Sequence, residues 1–207
     1  MDKKIKNLKR IFYFLHKVEN LKSTLRYMFT KTGRTESSAE HSWRLALMSF
    51  MTAKELNLDI NIERAMKIAL VHDIAESITG DISFIRIVDK EISREEKTSM
   101  ERRAMIKLKN ILPEKIGLEV YDLWEEYEKK LTKEAKFIKA LDKLETLTQL
   151  VEAGCKKYKR PELIPNYANE AVEDFPALEG ILKIIKRKLK QEFAKCKIPW
   201  KKGYQSK

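Results

Sequence analysis

The 207-residue sequence holds three histidines, His16, His41 and His72, and two of them have acidic neighbours. His41 follows Glu40. His72 and Asp73 form an adjacent pair within the apolar run from Ile68 to Ala75, which should be buried. A charged Asp beside a His in such a run is costly unless it is paired or bound to metal. On a helix His72 and Glu76 stand four residues apart and Asp73 and Glu76 three, so all three can look toward one site. Asp142, next to Leu141 in a regular helical pattern, is a second acidic residue in apolar surroundings. Two His and two carboxylates are a donor set suited to a divalent metal of the Mn, Fe, Co or Zn class. The same residues also have a plain reading: a hydrogen-bonded core histidine and an aspartate that caps a neighbouring helix. Residue types and spacing leave the two open. His16 has no acidic cluster near it and reads as structural or surface.

The elements that would carry these residues are helical. Ile5, Leu8, Phe12, Leu15 and Val18 fall at helical spacing among basic residues, which predicts an amphipathic helix over residues 3–21. Residues 30–37 read as a loop broken at Gly33. Ser37 and Glu40 fit a capping box that starts the helix bearing His41. A further helix covers 62–77, includes His72, Asp73 and Glu76, and stops near Gly80. Residues 81–93 read as irregular. Helices follow over about 94–111, from Pro113 to about 130, from Thr132 to about 157 with Asp142 inside, and over about 174–195. The fold class is all-α, a single bundle of six or seven helices.

Composition agrees. Six Gly and five Pro are few turn formers, and charged residues make up 36% of the chain. Cys155 and Cys196 lie far apart with no CxxC pair, so they read as two reduced thiols rather than a disulfide framework or a zinc site. The N-terminus is too charged for a signal peptide, and no stretch approaches the ~20 apolar residues that span a bilayer. A cytoplasmic protein with no membrane partner is expected. Residues 183–207 carry ten Lys/Arg and one Glu, most of the formal charge of +12. Such an end can bind nucleic acid, but it reads first as a solvated helix face with a frayed basic tail.

Three strings together resemble a known family: Ala39-Glu40-His41-Ser42-Trp43-Arg44, His72-Asp73-Ile74-Ala75-Glu76-Ser77-Ile78-Thr79-Gly80-Asp81, and Lys139-Ala140-Leu141-Asp142-Lys143-Leu144-Glu145. The pattern is similar to the HD superfamily of metal-dependent phosphohydrolases. The second string looks like the HDxxExxxGD motif of the 5'-deoxynucleotidases (YfbR-like) and their eukaryotic-type relatives. The resemblance covers about residues 8–190. It implies an HD domain over 1–195 followed by a basic tail over 196–207. It implies one divalent metal (Co, Mn, Mg, Fe, Ni or Zn) on His41, His72, Asp73 and Asp142. Glu76 would be the catalytic acid/base, Asp81 would bind the sugar 3'-hydroxyl, and Arg26 would contact phosphate. Tyr27 stands where those enzymes place a Trp against the sugar, which bears on how strictly ribose is refused. Glu128 would lie near the site, and Arg34 and Arg44 are nearby cations that read as surface residues.

The expected activity is hydrolysis of (deoxy)nucleoside 5'-monophosphates to nucleoside and phosphate, with a small-molecule nucleotide as partner. The rivals are another HD activity on nucleoside triphosphates or phosphodiesters, and a nucleic-acid-binding protein that uses the Lys-rich C-terminus. A homodimer is compatible with an apolar helix face.

Overall fold

The computed structural model describes residues 2–204. Helix α1 (Lys3–Val18) is followed by a 3-10 turn at Glu19–Lys22 and a hairpin of β1 (Leu25–Phe29) and β2 (Thr35–Ser37). Then come α2 (Ser38–Glu55), α3 (Ile62–Val71), α4 (Glu76–Thr79), α5 (Phe84–Val88), α6 (Arg94–Ile111), α7 (Glu114–Lys129), α8 (Lys133–Ala153), α9 (Asn169–Glu173) and α10 (Glu179–Lys195). Seven of these described helices have ten residues or more, as the periodicity predicts, and α4, α5 and α9 are short.

Helix α8 is the axis of the molecule. Along its length side chains on nearly every side are buried, from Phe137 and Ile138 to Leu144 and Leu147, because α2, α3, α7, α10 and β1 surround it. Its start is fixed by Thr132, whose hydroxyl accepts from the Ala135 amide, and Gly154 at φ +80° ends it. The capping box of α2 is present, with Ser37 and Glu40 exchanging side-chain and backbone hydrogen bonds. A smaller cluster around Trp124, Met105, Leu108 and Ile74 joins α6 and α7 to the segment after α3. Helix α1 buries no residue fully; Arg10 ties it to the α6 end through the Ile111 and Asn110 carbonyls.

Several expectations are corrected. Residues 30–37 are not all loop: Thr35–Ser37 pairs antiparallel with β1, and Gly33 turns the hairpin at φ +89°. A three-residue polar strand carries no alternation to be read. The irregular stretch 81–93 contains the single-turn α5, too short for a periodic signal. The last long helix starts at Glu179, because Pro176 begins a separate 3-10 turn after α9. Pro113 caps α7 rather than lying inside its first turn.

The largest correction concerns the cysteines. Cys155 and Cys196 form a disulfide, with Cα atoms 6.0 Å apart across 41 residues of sequence. Gly154 turns the chain out of α8 and sets Cys155 beside the end of α10, a proximity that sequence spacing does not encode. Beyond Cys196 the chain folds back. Trp200 packs edge-on against Phe193 (5.1 Å between centroids) and Tyr204 against Trp200 (5.5 Å). The segment read as a basic tail therefore packs on the core up to Tyr204, and its last three residues, 205–207, lie outside the described residues. No described helix is long and apolar enough to cross a membrane.

Candidate metal centre

The helix that the sequence extends through the His-Asp pair stops at Val71. From there the backbone tightens to i→i+3 bonds, Ile74 N–H to Val71 O (3.1 Å) and Glu76 N–H to Asp73 O (2.9 Å). The cause is local. His72 Nδ1 bonds to the Ala69 carbonyl at 2.8 Å, the acceptor that the Asp73 amide would use in a continued α-helix. This contact makes Nδ1 the donor and turns Nε2 away from the backbone, toward the Asp73 carboxylate.

His41, in the second turn of α2, is oriented in the same way. Its Nδ1 lies 2.5 Å from Glu145 Oε2, and Arg44 holds the other oxygen of that carboxylate (Nε to Oε1 2.5 Å). Both Nε2 atoms are buried and neither has a hydrogen-bond partner of acceptable geometry. They face carboxylate oxygens instead: His41 Nε2 is 3.1 Å from Asp142 Oδ1 and 3.9 Å from Asp73 Oδ2, and His72 Nε2 is 3.0 Å from Asp73 Oδ2. The ligand atoms of His41, His72 and Asp73 all lie within 4.8 Å of one another. Two buried, unpartnered imidazole nitrogens aimed at the oxygens of two carboxylates suit a divalent cation.

Electrostatics separates the carboxyls. Burial works against the Asp73 carboxylate, but His72, His41 and Arg26 outweigh it and hold its pKa well below the usual range. Burial likewise opposes the Asp142 carboxylate, and Lys143 with the two histidines holds it low. Glu76 goes the other way. Burial, then the charges of Asp73 and Asp81, push its pKa well above the usual carboxyl value, although the Ser38 hydroxyl donates to it at 2.6 Å. Burial and the Arg26 charge pull His41 down, but Glu145 and Asp142 outweigh them and hold it up at about 9. A metal on Nε2 would have to displace that proton.

Arg26 lies on β1 with its side chain turned inward. It meets Asp73 Oδ2 (3.3 Å), Glu36 Oε2 (3.4 Å) and the Thr146 hydroxyl (3.2 Å). Strand alternation sends the next residue to the opposite face. Tyr27 is 41% exposed and its ring lies under the Lys159 ammonium, 3.8 Å from the centroid. Asp81 follows Gly80, whose φ of +72° ends α4, and is half-buried. Glu128 pairs with Lys139 at 3.0 Å, and Arg34 pairs with Glu40. Arg44, read as a surface residue, supports Glu145. His16 is exposed.

The structure thus brings His41, His72, Asp73, Asp142, Glu76 and Arg26 together from four places in the sequence. It adds residues that sequence reasoning missed: Glu36, Tyr127, Lys143, Glu145 and Thr146. The last two had a legible signal, since they lie three and four residues after Asp142 and so on its helix face. Tyr127 and Glu36 had none.

A family model described as HD domain matches residues 18–194. The chain belongs to the HD-domain family. It is 37% identical to "5'-deoxynucleotidase HDDC2" of Xenopus laevis over 81% of this chain and 80% of that one. It is 37% identical to the protein of the same name from Homo sapiens, over 78% and 76%. Among solved structures it is similar to a predicted metal-dependent phosphohydrolase from Magnetospirillum magnetotacticum, with a TM-score of 0.76 and 26% identity, covering 94% of this chain and 99% of that one.

Proposed function

We propose that this protein is a metal-dependent 5'-nucleotidase that converts (deoxy)nucleoside 5'-monophosphates to nucleoside and phosphate. One observation carries the reading: His41, in α2, and His72, just past the end of α3, each present a buried, unpartnered Nε2 to the oxygens of Asp73 and Asp142. The names of its relatives supply the substrate class. The ligands would be His41, His72, Asp73 and Asp142. The ion, when bound, would act as a Lewis acid on the phosphoryl oxygen and acidify water.

The remaining chemistry belongs to the chain. Arg26 keeps its charge at all relevant pH values and offers a planar fork to the phosphate. Glu76, whose pKa is raised by burial and by the charges of Asp73 and Asp81, would deliver a proton to the departing 5'-oxygen. Asp81, two turns of chain beyond Asp73, would accept from the sugar 3'-hydroxyl. Tyr27 would act on the sugar only if the substrate reaches the face of β1 that Lys159 covers.

The test is a panel of ribo- and deoxyribonucleoside mono- and triphosphates with several divalent metals, scored for released phosphate. Phosphate from monophosphates, deoxy forms preferred, is expected. Release from triphosphates alone would sink the reading.

A further inference from the structure

Asp142 has two oxygens, and the structure treats them differently. Oδ1 faces His41 Nε2 at 3.1 Å. Oδ2 receives the Tyr127 hydroxyl at 2.9 Å and the Lys143 ammonium at 2.9 Å. Two donors on one oxygen fix the carboxylate plane and leave the other oxygen as the one aimed into the centre. Tyr127 does more than donate. Its ring packs edge-on against the His72 imidazole, 5.0 Å between centroids at 65°, and the Lys139 ammonium lies 3.8 Å from the centroid of the same ring. Tyr127 is buried, with 4% exposure, so it has little freedom to move.

One side chain on α7 therefore touches two ligand candidates from two other elements. We propose that Tyr127 is a positioning residue that holds His72 through its ring and Asp142 through its hydroxyl, and that with Lys143 it makes Asp142 a one-oxygen ligand through Oδ1. The inference rests on the metal reading above. It goes beyond it in assigning a residue and a binding mode that the motif does not contain. A buried tyrosine that merely needs an acceptor predicts something else, a change in stability with no change in metal affinity. Partners in contact with ligands typically change metal affinity by about 10–100-fold when removed.

The experiment is a metal titration of the whole protein, by chelator competition, for wild type, Tyr127→Phe and Lys143→Met. Tyr127→Phe keeps the ring on His72 and removes only the hydroxyl. It should weaken divalent-metal binding by about tenfold, while KM for the nucleotide stays within about twofold and kcat recovers at saturating metal. Lys143→Met should weaken binding in the same direction, and it is the deciding variant if Tyr127→Phe fails to fold. Metal affinity within twofold of wild type in a folded variant would overturn the proposal. Wild type that binds no divalent ion would overturn the metal reading itself, a different outcome.

Discussion

The centre around His41 and the end of the chain around Cys196 are built on opposite principles. At the centre Glu36, His41, His72, Glu76, Asp142 and Glu145 are all buried, and like charges crowd until Glu76 cannot easily ionise. Buried ionisable groups are poor sources of stability. At the chain end the contacts are aromatic and covalent: Tyr158, Phe193, Trp200 and Tyr204 stack in sequence, and a disulfide joins the end of α8 to the end of α10. The first region gives up stability to place charges, and the second supplies stability without reactive groups. Activity and stability should therefore respond to substitutions in different places.

The largest effect that separates the two regions is Asp73→Ala. It removes the carboxylate that both imidazoles and Arg26 face, so bound metal and nearly all phosphate release should be lost, read by metal analysis and phosphate assay. The melting temperature should stay within about 5 °C of the metal-free wild type. A folded variant with full metal and full activity would show that the centre is elsewhere.

Glu76→Gln comes next. The amide keeps the shape and, like the protonated acid, is neutral, so stability should hold or rise slightly. Metal should remain while kcat falls by about 10²-fold or more. Loss of metal instead would make Glu76 a ligand and put it in the same group as Asp73.

The smallest effect on activity should come from the other region. Reduction of Cys155–Cys196, or the Cys155→Ala/Cys196→Ala pair, frees a 41-residue closure and should cost about 2–4 kcal/mol of stability, read as a lower denaturation midpoint. At a temperature where the protein stays folded, kcat should change by less than about twofold, since neither cysteine touches the His–Asp cluster. A large fall in kcat at unchanged fold would mean that the brace reaches the centre, through α8 or through the connection that carries Lys159 and Tyr167.

What the sequence determines here is what repeats locally. Helical periodicity, the Ser37–Glu40 box and the Gly80 stop need only neighbours along the chain, so the long helices and the His72-Asp73 and Asp142 oddities are legible from residue order. The ligand set does not follow from residue types alone: a charged pair in an apolar run can be metal-bound or hydrogen-bonded, and it is the resemblance to HD-domain proteins that singles out His41, His72, Asp73 and Asp142. Tertiary structure alone decides whatever joins distant segments. It turns Arg26 inward and Tyr27 outward on one short strand. It also brings Tyr127 onto two ligands and closes Cys155 on Cys196. Each of these depends on where a separate element ends in space, and a one-dimensional pattern holds no term for that distance.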